Sequence, residues 1–303
     1  MSGSSVVLLH ATNENKQTII RIDINVTNVF FIVKIITRLF ELFNIGEWLD
    51  RTFSLNKLSN YDIFSFRHMD NELKKRPIDI ICSILVFLVT PFFFISISAL
   101  IPCAFRPFYY ICVDALDIPE ESGYEREVCI EAYDDVMNFI WEGAEFKTGE
   151  LKWTEEEKSH FEDCKPLFYL QLGLAISCGV YLLTYLILRK TKVLRAARFR
   201  DVSSISYGGI ITLIFVILIG LMAVVNFERL FEIFHMIAFP GKDNWTFSPT
   251  SEEIINILPE SFFLVCAVFI IGLTVILSGV AIGVGYALRT KRFKKLKESE
   301  ENN

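Results

Sequence analysis

Residues 80–105 read IICSILVFLVTPFFFISISALIPCAF, without a Lys, Arg, Asp or Glu anywhere in the run. A stretch of about 20 apolar residues is what a helix needs to cross the hydrocarbon core. In lipid the backbone must satisfy its own hydrogen bonds, so such a run is read as a helix. Three further runs meet the same test, at 167–188, 207–227 and 262–288, and none has an ionisable residue in its interior. Asp79 falls just outside the first. The fold class that follows is an all-α integral membrane protein with four transmembrane helices.

Composition agrees with that reading. Of 303 residues, 52% are hydrophobic and 28 are Phe, an apolar load that a soluble domain this size would struggle to hide from water. The net charge of −6 argues against nucleic acid as a partner, since polyanion-binding proteins are usually basic. Seven Cys, an odd and scattered set, make no disulfide framework, which leaves any bond among Cys112, Cys129 and Cys164 open. Pro91 and Pro102 predict kinks in the first span, because each removes a backbone donor. Gly279 and Gly283 form a GxxxG frame in the fourth, with Ser278 and Gly285 beside it, the spacing that lets a second helix approach closely.

Basic residues set the expected orientation. Lys74, Lys75 and Arg76 precede the first span; Arg189, Lys190, Lys192, Arg195, Arg198 and Arg200 lie in the loop 189–206; Arg289, Lys291, Arg292, Lys294, Lys295 and Lys297 follow the fourth span, in the tail 289–303. The other two loops, 106–166 and 228–261, are acidic. All three basic flanks therefore fall on one side, which places both chain ends in the cytoplasm of a multi-pass cell-membrane protein. The acidic loops become a small helical extracytoplasmic cap.

Within the first cap loop, Val128, Ala132, Val136 and Ile140 recur at helical spacing, with Met137 and Trp141 beside them and Gly143 as a stop. Thr154 and Glu157 read as a capping box opening a second helix. In the second loop the third span is expected to continue as helix up to Pro240-Gly241. A short helix from Ser251 to Leu258 then returns the chain to the membrane, capped by Thr250 or Ser251. The segment 1–79 is an extension without a cleavable signal peptide. Its apolar part, 26–48, carries Lys34, Arg38 and Glu41 along one face, which suits an amphipathic helix at the membrane interface. A fifth span is the alternative, at the cost of charges in the core; a start at Met69 is another.

Because the span interiors hold no acid or base, they lack what a proton-coupled transporter uses. Chemistry is expected at the outer surface. Of four histidines, His160 and His235 fall one in each cap loop, both near span ends and at the same depth. Asp163 lies three residues after His160, where a helix would let it orient the imidazole. Glu232 and Glu228 lie three and seven residues before His235. Cys164 is four after His160, close enough on a helix for a thiol–imidazole pair, although a small apolar residue at the membrane edge is the plainer reading. A lone His beside Phe and Met is commonly a packed, hydrogen-bonded residue. Two at matching depth suggest a shared site. There is no HExxH, no GxSxG and no cofactor motif, so neither a metal nor a cofactor is expected. Trp245 reads first as an interfacial anchor and second as the wall of an acyl-chain pocket.

Two loop stretches, Trp153-Thr-Glu-Glu-Glu-Lys-Ser-His-Phe-Glu-Asp-Cys-Lys165 and Phe234-His-Met-Ile-Ala-Phe-Pro-Gly-Lys-Asp-Asn-Trp-Thr-Phe247, resemble a bacterial family of four-span integral membrane proteins. Ile254-Ile-Asn-Ile-Leu-Pro-Glu-Ser-Phe-Phe263 continues the second match, and the likeness covers roughly residues 80–288. One branch of that family is the lipoprotein intramolecular transacylase, which moves the sn-2 acyl chain of a lipoprotein's diacylglyceryl cysteine onto the same cysteine's α-amino group. The resemblance implies that His160, with Asp163 and Lys165 in an H-x-x-D-x-K frame, and His235 carry the chemistry. It implies membrane lipids and diacylglyceryl-modified lipoproteins as partners. It also implies Met and Val in that branch where this chain has Phe161 and Cys164, the mark of a divergent member. Lys165, the second His or backbone amides are the expected oxyanion donors. The competing function is a non-catalytic four-span scaffold that binds partners through its acidic cap.

Overall fold

A computed structural model of the chain describes residues 76–195 and 202–301. The expected interfacial helix at 26–48, the alternative start at Met69, and Arg198 and Arg200 lie outside the described residues. Helices in chain order are α1 (Pro77–Ala104), α2 (Pro107–Ala115), α3 (Ile118–Ser122), α4 (Arg126–Trp141), α5 (Glu155–Lys190), α6 (Ser204–Val225), α7 (Phe227–Ala238), α8 (Ile254–Ile257) and α9 (Glu260–Glu301). Four of them, α1, α5, α6 and α9, are long and apolar enough to cross a membrane.

In the bundle α1 is the hub: it packs against α5, α6 and α9, and α6 packs against α9. Apart from Phe94, its inward face is lined with small, β-branched and hydroxyl side chains, and Ser83, Thr90 and Ser98 are buried. Each hydroxyl donates to the carbonyl four residues back at 2.7 Å, so no polar group is left bare. The large side chains point the other way. Ile84, Leu88 and Phe92 of α1, Val180 and Leu183 of α5, and Phe215 and Leu218 of α6 are all exposed. That inversion is stable only where lipid, not water, surrounds the bundle.

Close approach is bought with glycine where helices cross. A Cβ on Gly208 of α6 would sit 2.6 Å from Thr90 Cβ and 3.1 Å from the Phe87 carbonyl of α1, and one on Gly285 of α9 only 1.9 Å from Ser206 Oγ. Gly279, by contrast, has nothing within 4 Å. Its half of the GxxxG frame therefore faces open space and makes no contact within the bundle. At the end away from the cap, Asp79 of α1 is buried and bonded to the Arg76 guanidinium and the Arg195 amide, which clips the α5–α6 loop to the start of α1.

The cap is a second core built from α2, α3, α4, α8 and the first turns of α5. Tyr109 and Tyr133 stack at 3.9 Å, and Tyr109 Oη donates to the Ile257 carbonyl at 2.8 Å. Val113, Ile118, Ala132, Val136, Ile140 and Ile254 close around them. Every cysteine is free, including Cys112, Cys129 and Cys164.

Two expectations are corrected and one is extended. The third span does not run on to Pro240: it stops at Val225, where Asn226 adopts an extended conformation and its side chain accepts from the Arg229 amide to start α7 anew. The second cap helix and the second span are one rod. The Thr154 capping box forms, and the helix continues through Pro166 to Lys190, about 54 Å at 1.5 Å per residue. The helix expected at Ser251 to Leu258 shrinks to α8, because Glu252 accepts from the Ser248 amide and the Ser251 hydroxyl and holds that stretch as a turn. α2 and α3 had no forecast at all.

Candidate active site

Seven charged residues crowd between Glu155 and Lys165, so this part of α5 stands in the cap and the membrane-crossing part begins near Leu167. His160 sits in that projecting part. Beyond the break at Asn226, α7 turns His235 back toward it. The two imidazoles, from loops far apart in sequence, stack with ring centroids 5.9 Å apart and planes 29° apart. Both residues are 7% exposed.

Aromatic rings form the enclosure. Phe239 and Phe247 meet the His160 ring edge-on at 5.0 and 5.4 Å. Phe231 lies 4.1 Å from His235, and the Trp245 indole stacks on the same imidazole at 5.0 Å. Trp245 is thus a wall of the histidine pair, and its Nε1 donates to the Lys242 carbonyl.

A hydrogen bond decides where His235 keeps its proton. His235 Nδ1 lies 2.8 Å from the Phe231 carbonyl, an acceptor only. Nδ1 must therefore carry hydrogen, which leaves the lone pair on Nε2. His160 Nε2 lies 3.5 Å from Cys164 Sγ, while its Nδ1 is buried without a partner. Burial pushes the Cys164 thiol up to about 12, so it stays protonated; in the tautomer in which it donates to Nε2, the imidazole hydrogen sits on the bare Nδ1. Burial, reinforced by the neighbouring His235, pushes His160 down to about 4; burial also lowers His235. Near neutral pH the pair is uncharged.

The residues expected to support the pair go elsewhere. Asp163 does not reach His160's ring nitrogens. Its carboxylate pairs with Lys242 and accepts from Asn244 Nδ2 at 3.0 Å, and the same amide donates to Ser159 at 3.2 Å. Burial raises the pKa of a carboxyl, but here the Lys242 ammonium dominates and holds Asp163 below the usual range. Glu232 pairs with Arg229, and the orienting partner of His235 is the Phe231 carbonyl instead. Lys165 places its ammonium 3.2 Å above the Phe139 ring, a cation–π contact on the α4 side. Lys242, Asn244, Phe239 and Phe247 were not singled out from sequence, although all lie in the second matched stretch. Pro240-Gly241, followed at once by polar residues, was the available signal that the chain doubles back there. Among the described residues no group of three or more His, Cys, Asp or Glu could hold a metal ion.

Four apolar spans beneath a cap that encloses a neutral histidine pair define a multi-pass membrane protein with a buried histidine site. The model of the lipoprotein intramolecular transacylase family, Lit, matches residues 84–263. The chain belongs to that family, and is a membrane protein of the transacylase-like kind. The solved structure of Lit from Bacillus cereus is 21% identical, with a TM-score of 0.58 over 75% of this chain and 99% of that one. A variant of that enzyme with a histidine replaced by arginine matches at 24% identity and a TM-score of 0.53, over 73% and 95%. An uncharacterised protein of Aquifex aeolicus (strain VF5) is 26% identical over 150 residues, 45% of this chain and 61% of the relative, so the match spans less than two thirds of that protein.

Proposed function

We propose that this protein moves an acyl chain from an ester oxygen of a lipid-modified protein to that protein's own α-amine, at the outer leaflet, with its basic loop and both ends in the cytoplasm. The observation that carries this reading is the stacked pair His160–His235, with the lone pair of His235 fixed on Nε2. Aminolysis of an ester needs a base for the nitrogen and a donor for the tetrahedral oxyanion. His235 Nε2 is the base. The neutral amine attacks the ester carbonyl carbon; His235 takes the proton the nitrogen sheds and delivers it to the departing alkoxide as the C–O bond breaks. His160 Nδ1–H, bare and buried, is the donor to the oxyanion. An amide and a free hydroxyl result, and because both partners sit on one molecule, proximity lowers the barrier without an acyl-enzyme.

Burial supports the same assignment. A neutral, dry imidazole is a competent base at physiological pH, and excluded water cannot hydrolyse the ester. The test is mass spectrometry of a lipoprotein's N-terminal peptide from cells with and without the chain, and with His160→Ala or His235→Ala. Either substitution should slow the formation of N-acylated, lyso-form peptide by about 10²–10⁴ while the protein stays inserted. Full lyso-form production by both variants would return the chain to a non-catalytic scaffold.

A further inference from the structure

Asn244 has one end of its amide committed and the other bare. Asp163 cannot donate, so the end of the amide that faces its carboxylate must be Nδ2, which also reaches Ser159. Oδ1 is thereby turned away, buried and without a partner. Asn244 is tied to the stretch of α5 that carries His160 and directly precedes the tryptophan stacked on His235. Ser159 and Asp163 flank His160 on α5, and the next residue, Trp245, lies on the His235 ring. Lys242 is occupied by Asp163, so that cation does not compete for the acceptor.

We propose that Asn244 recognises the substrate's primary amine, its Oδ1 accepting one N–H while His235 Nε2 receives another; this rests on the function proposed above. One substrate atom must satisfy two acceptors whose directions are already set, Asn244 Oδ1 by Asp163 and His235 Nε2 by Phe231. A hydroxyl has one hydrogen and serves only one of them. A primary amine has enough for both. Water has two as well, but the cover of Phe239, Trp245 and Phe247 keeps the histidines dry. A buried acceptor left bare is costly, and the substrate's N–H relieves it, so binding energy is spent where the reacting nitrogen must sit.

The experiment uses the full-length protein in lipid nanodiscs and two non-reactive probes. Both are cysteinyl peptides carrying a dialkyl-ether glyceryl group; one has its α-amine, and the other a hydroxyl in its place. Wild type should bind the amine probe about tenfold or more tightly than the hydroxyl probe, the range of one buried acceptor left unsatisfied by the hydroxyl. Asn244→Ala should remove that preference by weakening the amine probe alone. Asp163→Asn, which keeps Asn244 but frees its amide to turn, should remove part of it. Equal weakening of both probes by Asn244→Ala, or a preference that survives it, overturns the assignment. A wild type that makes lyso-form lipoprotein but shows no amine preference sinks this proposal alone. One that makes none and binds neither probe sinks it together with the proposed function.

Discussion

Replacing Asp163 by Ala should loosen the cover over the histidines without unfolding the cap. Asp163 is the single point on α5 to which Lys242 and Asn244 both attach. The ion pair is partly solvated, with Lys242 about half exposed, and is worth about 0.5 kcal/mol after screening. The Asn244 amide on a carboxylate is a charge-assisted hydrogen bond worth about 1.5–3 kcal/mol, and the low end applies because the carboxylate keeps some solvent. Together they stabilise the closed loop by about 2 kcal/mol. At 1.36 kcal/mol per factor of ten, the open form should rise about thirtyfold. Amide hydrogen exchange reads this directly: the Lys242 and Thr246 amides are held in turns within the loop, to Phe239 and Asp243, and local opening frees them. In Asp163→Ala their exchange should accelerate by about thirtyfold and in Lys242→Met by only about twofold, with α4 unchanged as the internal control. Loop exchange within threefold of wild type in Asp163→Ala would refute the clasp.

Stability should also depend on pH through the histidines. His160 and His235 are held below the ordinary imidazole value, so the unfolded chain takes up protons before the folded one. The sign is therefore a full contribution above about pH 6.5, lost as pH falls toward 4, with Asp163, Lys242 and Cys164 the other titratable groups at the pair. Thermal unfolding in detergent should show a change between pH 7 and 4.5 that is more unfavourable in wild type than in His160→Phe by the order of 2–3 kcal/mol, the contributions of His235 and of Glu157, which burial raises to about 7, being common to both. A wild type and variant with parallel pH profiles would contradict this. In the bundle, Gly208→Ala should cost about 1–3 kcal/mol because its Cβ meets Thr90 Cβ and the Phe87 backbone, neither of which can turn aside. Gly279→Ala, opening onto empty space, should leave the melting temperature unchanged, and the pair of melts checks both.

The spans were legible because lipid imposes a rule on composition, and residues 80–105 obey it without exception. Their ends were less so. Around Asn226 the apolar pattern runs from Val225 into Phe227, and only the asparagine's own cap to Arg229 interrupts the helix. Periodicity cannot see that interruption, yet without it α7 would carry His235 away along the axis of α6. The site shows the same limit. His160 and His235 could be picked out as polar residues at matching depth. The role of Asp163 could not: spacing along α5 favours His160 as its partner, but Lys242, 79 residues away, brings a full opposite charge. Three-residue spacing proposes a neighbour; electrostatics from another loop can outbid it. Trp245 read first as an anchor for the same reason, since its stacking on His235 depends on the turn at Pro240-Gly241.

A dry histidine pair imposes a demand of its own. Neutral imidazoles near pH 7 need the aromatic enclosure, yet a substrate must enter it. The weakest wall is α7 with the loop that follows. That helix packs against α6, and His235 is its only buried residue. Phe234, Met236 and Ile237 are left exposed on either side of the histidine. Exposed apolar residues next to a membrane span are compatible with acyl chains, so the element that carries His235 is also the element best able to meet a lipid. The cap core, in contrast, is tied by Tyr109, Tyr133 and Ile257 and has no reason to move. Opening should therefore be confined to the segment between Asn226 and α8, and its equilibrium set by the clasp at Asp163. A substrate whose acyl chains displace Phe234 and Ile237 from the membrane surface would lift the cover and meet His235 in one motion.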